Sequence, residues 1–128
     1  MGWFSKKIEP PGRKEFRAEF ESVTARLRKS DEVTQMAVGH SINMAHSFFA
    51  QRFGNTSAFR ALSTDEKHSY IESLTAMEEK MMQKDPHAGL GFGLFKMWIG
   101  AVTANDEELV KEFSGVLASF SKKGDLGG

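Results

Sequence analysis

Apolar residues recur at helical spacing along most of this chain, and strand-like alternation is sustained nowhere. Phe16, Phe20, Val23 and Leu27 step by four, three and four residues, which at about 100° per residue places them on one face of a helix. Arg13, Arg17, Glu19, Arg26 and Arg28 fall elsewhere on its circumference. Upstream, Pro10-Pro11-Gly12 is a breaker that sets off residues 1–12 as a flexible tail. Ser30-Asp31-Glu32 then offers a hydroxyl and two carboxylates to the unpaired amides of a first turn. A second helix is predicted from there to about Phe53.

That second helix is apolar on two sides. Val33, Ala37, Met44 and Phe48 form one strip, and Val38, Ile42, Ala45, Phe49 and Phe53 form another, so the polar arc shrinks to Glu32, Asn43 and Ser47. A helix with so little wettable surface belongs inside a bundle. Gly54-Asn55 supplies its stop, and residues 56–62 are expected to make a short turn that packs Phe59 and Leu62. Ser63 with Glu66 three residues on is a capping box for a helix from Thr64 to Lys84. Its apolar face is Tyr70, Ile71, Leu74, Met77 and Met81, with His68, Glu72, Thr75 and Glu79 opposite, the pattern of an outer helix. Asp85-Pro86 ends it and opens the next.

The segment 88–102 is apolar around most of its circumference. Leu90, Leu94, Met97, Trp98 and Ala101 share one arc, Phe92, Phe95, Ile99 and Val102 widen it, and Gly89, Gly93 and Gly100 fall together with Lys96 on what remains. Each such glycine costs a helix about 1 kcal/mol relative to alanine, so the cluster implies a close approach by something. Asn105-Asp106-Glu107-Glu108 then supplies a cap and an acid three residues on, introducing Leu109, Val110, Phe113, Val116, Leu117 and Phe120. Lys122 and Lys123 suit the end of that helix, and Gly124 reads as its stop. The expected fold is therefore all-α: a compact bundle of about five main helices plus one short helix, with the second and fifth central. One helical domain over 13–123 lies between a tail at 1–12 and a flexible tail at 124–128.

At 128 residues the chain is long enough to bury a core as one domain. With no cysteine it has neither disulfides nor thiol chemistry. Equal numbers of basic and acidic residues leave no net charge to attract nucleic acid, which is not expected as a partner. Residues 1–30 nevertheless hold eight Lys/Arg against four Asp/Glu, and 31–128 hold nine against thirteen. Lys6, Lys7 and Glu9 interrupt any apolar leader, so a cytoplasmic location is expected. Position 6 is Lys rather than the Ser or Thr that would favour acylation of Gly2. The apolar run at 88–102 contains Lys96 and falls short of the roughly twenty residues that span a bilayer.

Candidate chemistry is sparse. Asp65, His68, Glu72 and Glu79 share one face of the fourth helix, but they look away from its apolar stripe, so no metal site is predicted. His87 suits a first-turn role. Gly91-Phe92-Gly93 lacks the strand, third glycine and Gly-Lys-Ser/Thr ending of a phosphate loop. No catalytic set and no cofactor is predicted, and enzymatic activity is not expected.

Two functional readings follow. The first is a small helical interaction module, an adaptor, inhibitor or regulator, that binds another protein or a second copy of itself. Its surfaces would be the glycine face with Gly89, Gly93, Lys96 and Gly100, and the basic side of the first helix with Arg13, Arg17, Arg26 and Arg28. The alternative is a sensor or carrier that encloses a small hydrophobic ligand among His40, His46, Phe48, Phe49, Phe92, Phe95 and Trp98. A third reading is contact with a membrane surface through Trp3, Phe4, Lys6 and Lys7, a set that is short for an amphipathic anchor.

Overall fold

The computed structural model describes residues 12–127, with side chains through residue 124. Every regular element among them is an α-helix: α1 (Arg13–Arg28), α2 (Glu32–Phe53), α3 (Thr56–Arg60), α4 (Thr64–Lys84), α5 (Pro86–Thr103) and α6 (Glu107–Gly127). The helices pack as a compact all-α bundle, as the periodicity predicts. Trp3, Phe4, Lys6 and Lys7 lie outside the described residues.

The helix starts follow the polar residues that precede them. Asp31 accepts from the Thr34 amide at 2.8 Å, and Asn55 does the same for Ala58 at 2.8 Å. Ser63 accepts from Glu66 N–H at 3.1 Å while the Glu66 carboxylate accepts from the Ser63 amide at 3.3 Å. Asp85 accepts from His87 N–H at 3.0 Å, with Pro86 in the first turn of α5, where its missing donor is harmless.

Two expectations at the ends of α6 are corrected. Asn105 is not the cap; it sits at φ 55, and Asp106 accepts from the Leu109 amide at 3.2 Å instead. Gly124 does not stop the helix, which runs on to Gly127. Its glycine serves packing: a Cβ on Gly124 would lie 2.5 Å from the backbone nitrogen of His40 in α2. Residue 124 is therefore buried inside a helix crossing rather than opening a tail.

α2 and α5 occupy the middle. α5 is flanked by α4 on one side and by α2 on the other, and α6 packs against both α2 and α5. Phe49 is the hub of the core, with its ring centroid 5.3 Å from that of Phe53, 5.6 Å from Phe59, 5.9 Å from Tyr70, 6.0 Å from Phe95 and 5.9 Å from Trp98. One side chain thus ties α2 to α3, α4 and α5 in the edge-to-face and tilted geometries that aromatic quadrupoles favour. α1 is attached to α6 through long side chains. Phe20 stacks on Phe113 with centroids 3.7 Å apart, and Phe16 lies 5.7 Å from the same ring.

Candidate functional site

The glycine face of α5 is covered from within the molecule. A Cβ on Gly89 would meet Met82 Sδ at 2.2 Å, one on Gly93 would meet Glu78 Oε2 at 2.5 Å, and one on Gly100 would meet Phe16 Cζ at 3.3 Å. Lys96 donates to Glu78 at 2.6 Å and to Thr75 Oγ1 at 3.4 Å. Gly89, Gly93 and Lys96 thus form the seat of α4, and Gly100 receives a ring from α1. The face expected to receive a partner is therefore largely occupied by contacts within the chain. Thr75, expected on the side opposite the apolar stripe, is half-buried and accepts from the Lys96 ammonium of α5.

The basic side of α1 divides in two. Arg13 donates from Nε to Asp106 at 2.5 Å and from Nη2 to Glu108 at 2.9 Å, and Arg17 donates from Nη2 to Glu112 at 2.6 Å. These pairs fasten α1 along α6. The Arg13 hydrogen bond holds the Asp106 carboxyl below the usual carboxylate range, and Glu112 keeps Arg17 the more firmly protonated. Arg26 and Arg28 are exposed and take part in no ion pair among the described residues.

The residues expected to enclose a hydrophobic ligand are only partly gathered. Phe49, Phe92, Phe95 and Trp98 are buried, but the first three are consumed by core packing. His40, His46 and Phe48 are exposed, Phe48 with 44% of its surface accessible. Of these three, His46 reaches another of the set, its ring lying edge-on to Phe95. Gly91 lets α2 and α5 close up on one another: a Cβ there would lie 2.8 Å from the Val38 carbonyl oxygen.

His46 and Trp98 do meet, on the other side of α2. The α2–α6 seam is tightest at Gly39, where a Cβ would fall 1.9 Å from the Phe120 carbonyl oxygen. One turn along, Asn43 Nδ2 donates to the Ser121 carbonyl at 3.1 Å and Ser121 Oγ donates back to Asn43 Oδ1. Beyond that bridge the helices leave a half-open groove of about 240 Å³. Ile42 and His46 form one wall and Ser114, Leu117 and Ala118 the other, with Trp98 of α5 between them. Trp98 donates its indole N–H to Ser114 Oγ at 2.8 Å, and the His46 ring lies edge-on to Phe95 with centroids 6.2 Å apart. A groove of this kind combines apolar walls with a few placed polar groups, as small-molecule sites do.

Hydrophobic periodicity alone does not single out Ser114, Ala118 and Ser121. Their signal is a run of small residues at spacings of four and three on α6, beside the apolar stripe. Asn43 was visible only as part of a thin polar arc, which turns out to face α6, where Glu32 also receives Lys123 at 3.4 Å.

Other clusters offer less. Among the described residues no group of three His, Asp or Glu could hold a metal ion, and no helix is long and apolar enough to cross a membrane. The Tyr70 hydroxyl is buried with no hydrogen-bond partner among the described residues, and burial pushes its phenol above the ordinary range. Comparison of the chain with protein-family models, curated proteins and solved structures finds no match.

Proposed function

We propose that this protein is a binding module, acting without catalysis, whose site is the α2–α6 groove and whose ligand is a small, largely apolar molecule. This is the sensor or carrier reading, relocated from the α2–α5 interface to the outer seam of α2. The observation that carries it is the groove itself, with apolar walls around an indole N–H fixed on Ser114 at 2.8 Å. The groove is half open at the surface, so a small molecule reaches it without the helices parting.

Native mass spectrometry of the protein isolated from its own source tests the reading. A monomer carrying a small-molecule adduct, lost when Ala118→Trp fills the groove, is the expected result. A bare monomer whose Trp98 indole signal is insensitive to added hydrophobic probes would overturn it.

The adaptor or regulator reading keeps one support, Arg26 and Arg28 at the end of α1, exposed and in no ion pair among the described residues. A partner recruited there carries complementary acidic groups, and its affinity falls as salt rises through the physiological range. A partner affinity indifferent both to salt and to Arg26→Gln/Arg28→Gln would remove that support.

A further inference from the structure

We infer that the ligand of the α2–α6 groove carries a carboxylate on its apolar body; this rests on the groove being the binding site. The hydroxyls of Ser41, Ser73, Thr75 and Thr103 each donate to the carbonyl four residues back in their own helix, at 3.2, 3.1, 2.9 and 2.8 Å. Ser114 does not. Its oxygen accepts from Trp98 Nε1, and its own proton is donated to no acceptor among the described residues. An O–H whose oxygen already accepts a hydrogen bond is polarised into a better donor.

His46 lines the same groove with both ring nitrogens free of hydrogen bonds among the described residues. The remaining polar pair, Asn43 and Ser121, is engaged across the seam. No Asp or Glu lines the groove, so nothing there repels an anion or favours a cation. The unengaged chemistry is thus the Ser114 O–H on one wall and, on the other, the solvent-exposed His46 ring, which carries at least one N–H donor in either tautomer, over an indole and the aliphatic surface of Ile42 and Leu117. A carboxylate has two acceptor oxygens to meet two donors, and hydrogen bonds to an ionised acceptor are about twice as strong as neutral ones.

The test uses the full chain and four probes of similar shape: phenylacetate, phenylacetamide, ethylbenzene and phenethylamine. Binding is followed through the Trp98 indole N–H resonance, which Trp3→Phe distinguishes from the second tryptophan. Ligands this small bind at about millimolar dissociation constants, and phenylacetate should bind about tenfold more tightly than the amide. His46→Leu should erase that advantage while leaving ethylbenzene unaffected, and Ala118→Trp should abolish all binding.

If the amide or the amine binds as tightly as the acid, the carboxylate assignment fails although the groove still binds. If no probe moves the Trp98 resonance, or if binding survives Ala118→Trp, the groove reading fails with it.

Discussion

Gly39 of α2 and Gly124 of α6 stand backbone to backbone: a Cβ on Gly39 would lie 2.8 Å from the Gly124 nitrogen, and one on Gly124 would lie 2.5 Å from the Gly39 carbonyl carbon. The obstacles are main-chain atoms, which give way only if whole helices separate. Alanine at either position gains about 1 kcal/mol of helix propensity. Forcing α2 from α6 costs about 3 kcal/mol, the upper end for overpacking. Gly39→Ala and Gly124→Ala should therefore each lose about 2 kcal/mol in urea unfolding. Gly115→Ala, on the same helix with nothing within 4 Å of its new carbon, should gain about 1 kcal/mol. Wild-type stability in Gly39→Ala would show that the seam is not closed as described.

A second contrast separates two glycines two residues apart on α5. A Cβ on Gly91 would meet Ser41 Cβ at 2.5 Å and the Val38 carbonyl oxygen at 2.8 Å, whereas one on Gly93 meets only the end of the Glu78 side chain. Glu78 can swing aside at the expense of its bridge to Lys96, which is partly exposed and worth about 0–1 kcal/mol. That loss roughly offsets the gain in helix propensity. Gly93→Ala should stay within about 1 kcal/mol of wild type, while Gly91→Ala should lose about 1–3 kcal/mol. Equal melting temperatures for the two variants would contradict the packing described for α5.

These glycines mark the boundary of what the sequence discloses. Asp31, Ser63 and Asp85 cap the helices that follow them because capping is a local exchange between a side chain and amides two or three residues away, whereas Asn55, expected to share the stop of α2 with Gly54, is extended and caps α3 instead. The apolar stripes of α1 and α4 likewise need only their own periodicity. A glycine is ambiguous: the same residue type suits a helix end and a helix crossing, and Gly124 was read as the first when it is the second. Which helix covers the face at Gly89 and Gly93 depends on the path of the chain. The groove was still less visible, because Ser114 and Ala118 matter only once α2 lies antiparallel beside them. His46 and Trp98 were legible as candidates; their neighbours were not.

The clasp between α1 and α6 should weaken in acid. Asp106 has its pKa lowered in the folded protein, chiefly by the Arg13 hydrogen bond, so its stabilising contribution is present above the unfolded carboxylate value of about 3.9. The contribution is lost as pH falls through the folded value. Asp106→Asn retains an oxygen to cap Leu109 but loses the charge that faces Arg13. The variant should be less stable at pH 7 by up to about 1 kcal/mol, and the gap from wild type should close as pH drops below about 4. Urea midpoints of both proteins across that range decide the matter; a gap that persists at pH 2 would mean that the charge at Asp106 is not what holds α1.

Tyr70 should make the fold sensitive to alkali. Its ring packs against Phe49, Phe53 and Phe59 with centroids 5.9, 4.9 and 5.5 Å away, and its hydroxyl has no partner among the described residues. Burial raises the phenol's pKa, and the Arg52 guanidinium, 5.6 Å from the ring centroid, opposes this only in part. The sign follows from linkage. Below about pH 10 the phenol is neutral in both states and does not penalise folding through its charge. Above that, the unfolded chain ionises while the folded one resists, so stability falls as pH rises toward the folded pKa. Tyr70→Phe removes this dependence and an unsatisfied buried hydroxyl together, and should raise stability at pH 7 by about 1 kcal/mol. Because Tyr70 is the only tyrosine in the chain, tyrosinate absorbance reports this residue alone. It should appear together with unfolding in an alkaline titration of the wild type; ionisation while the helical signal stays intact would show that the hydroxyl is open to water.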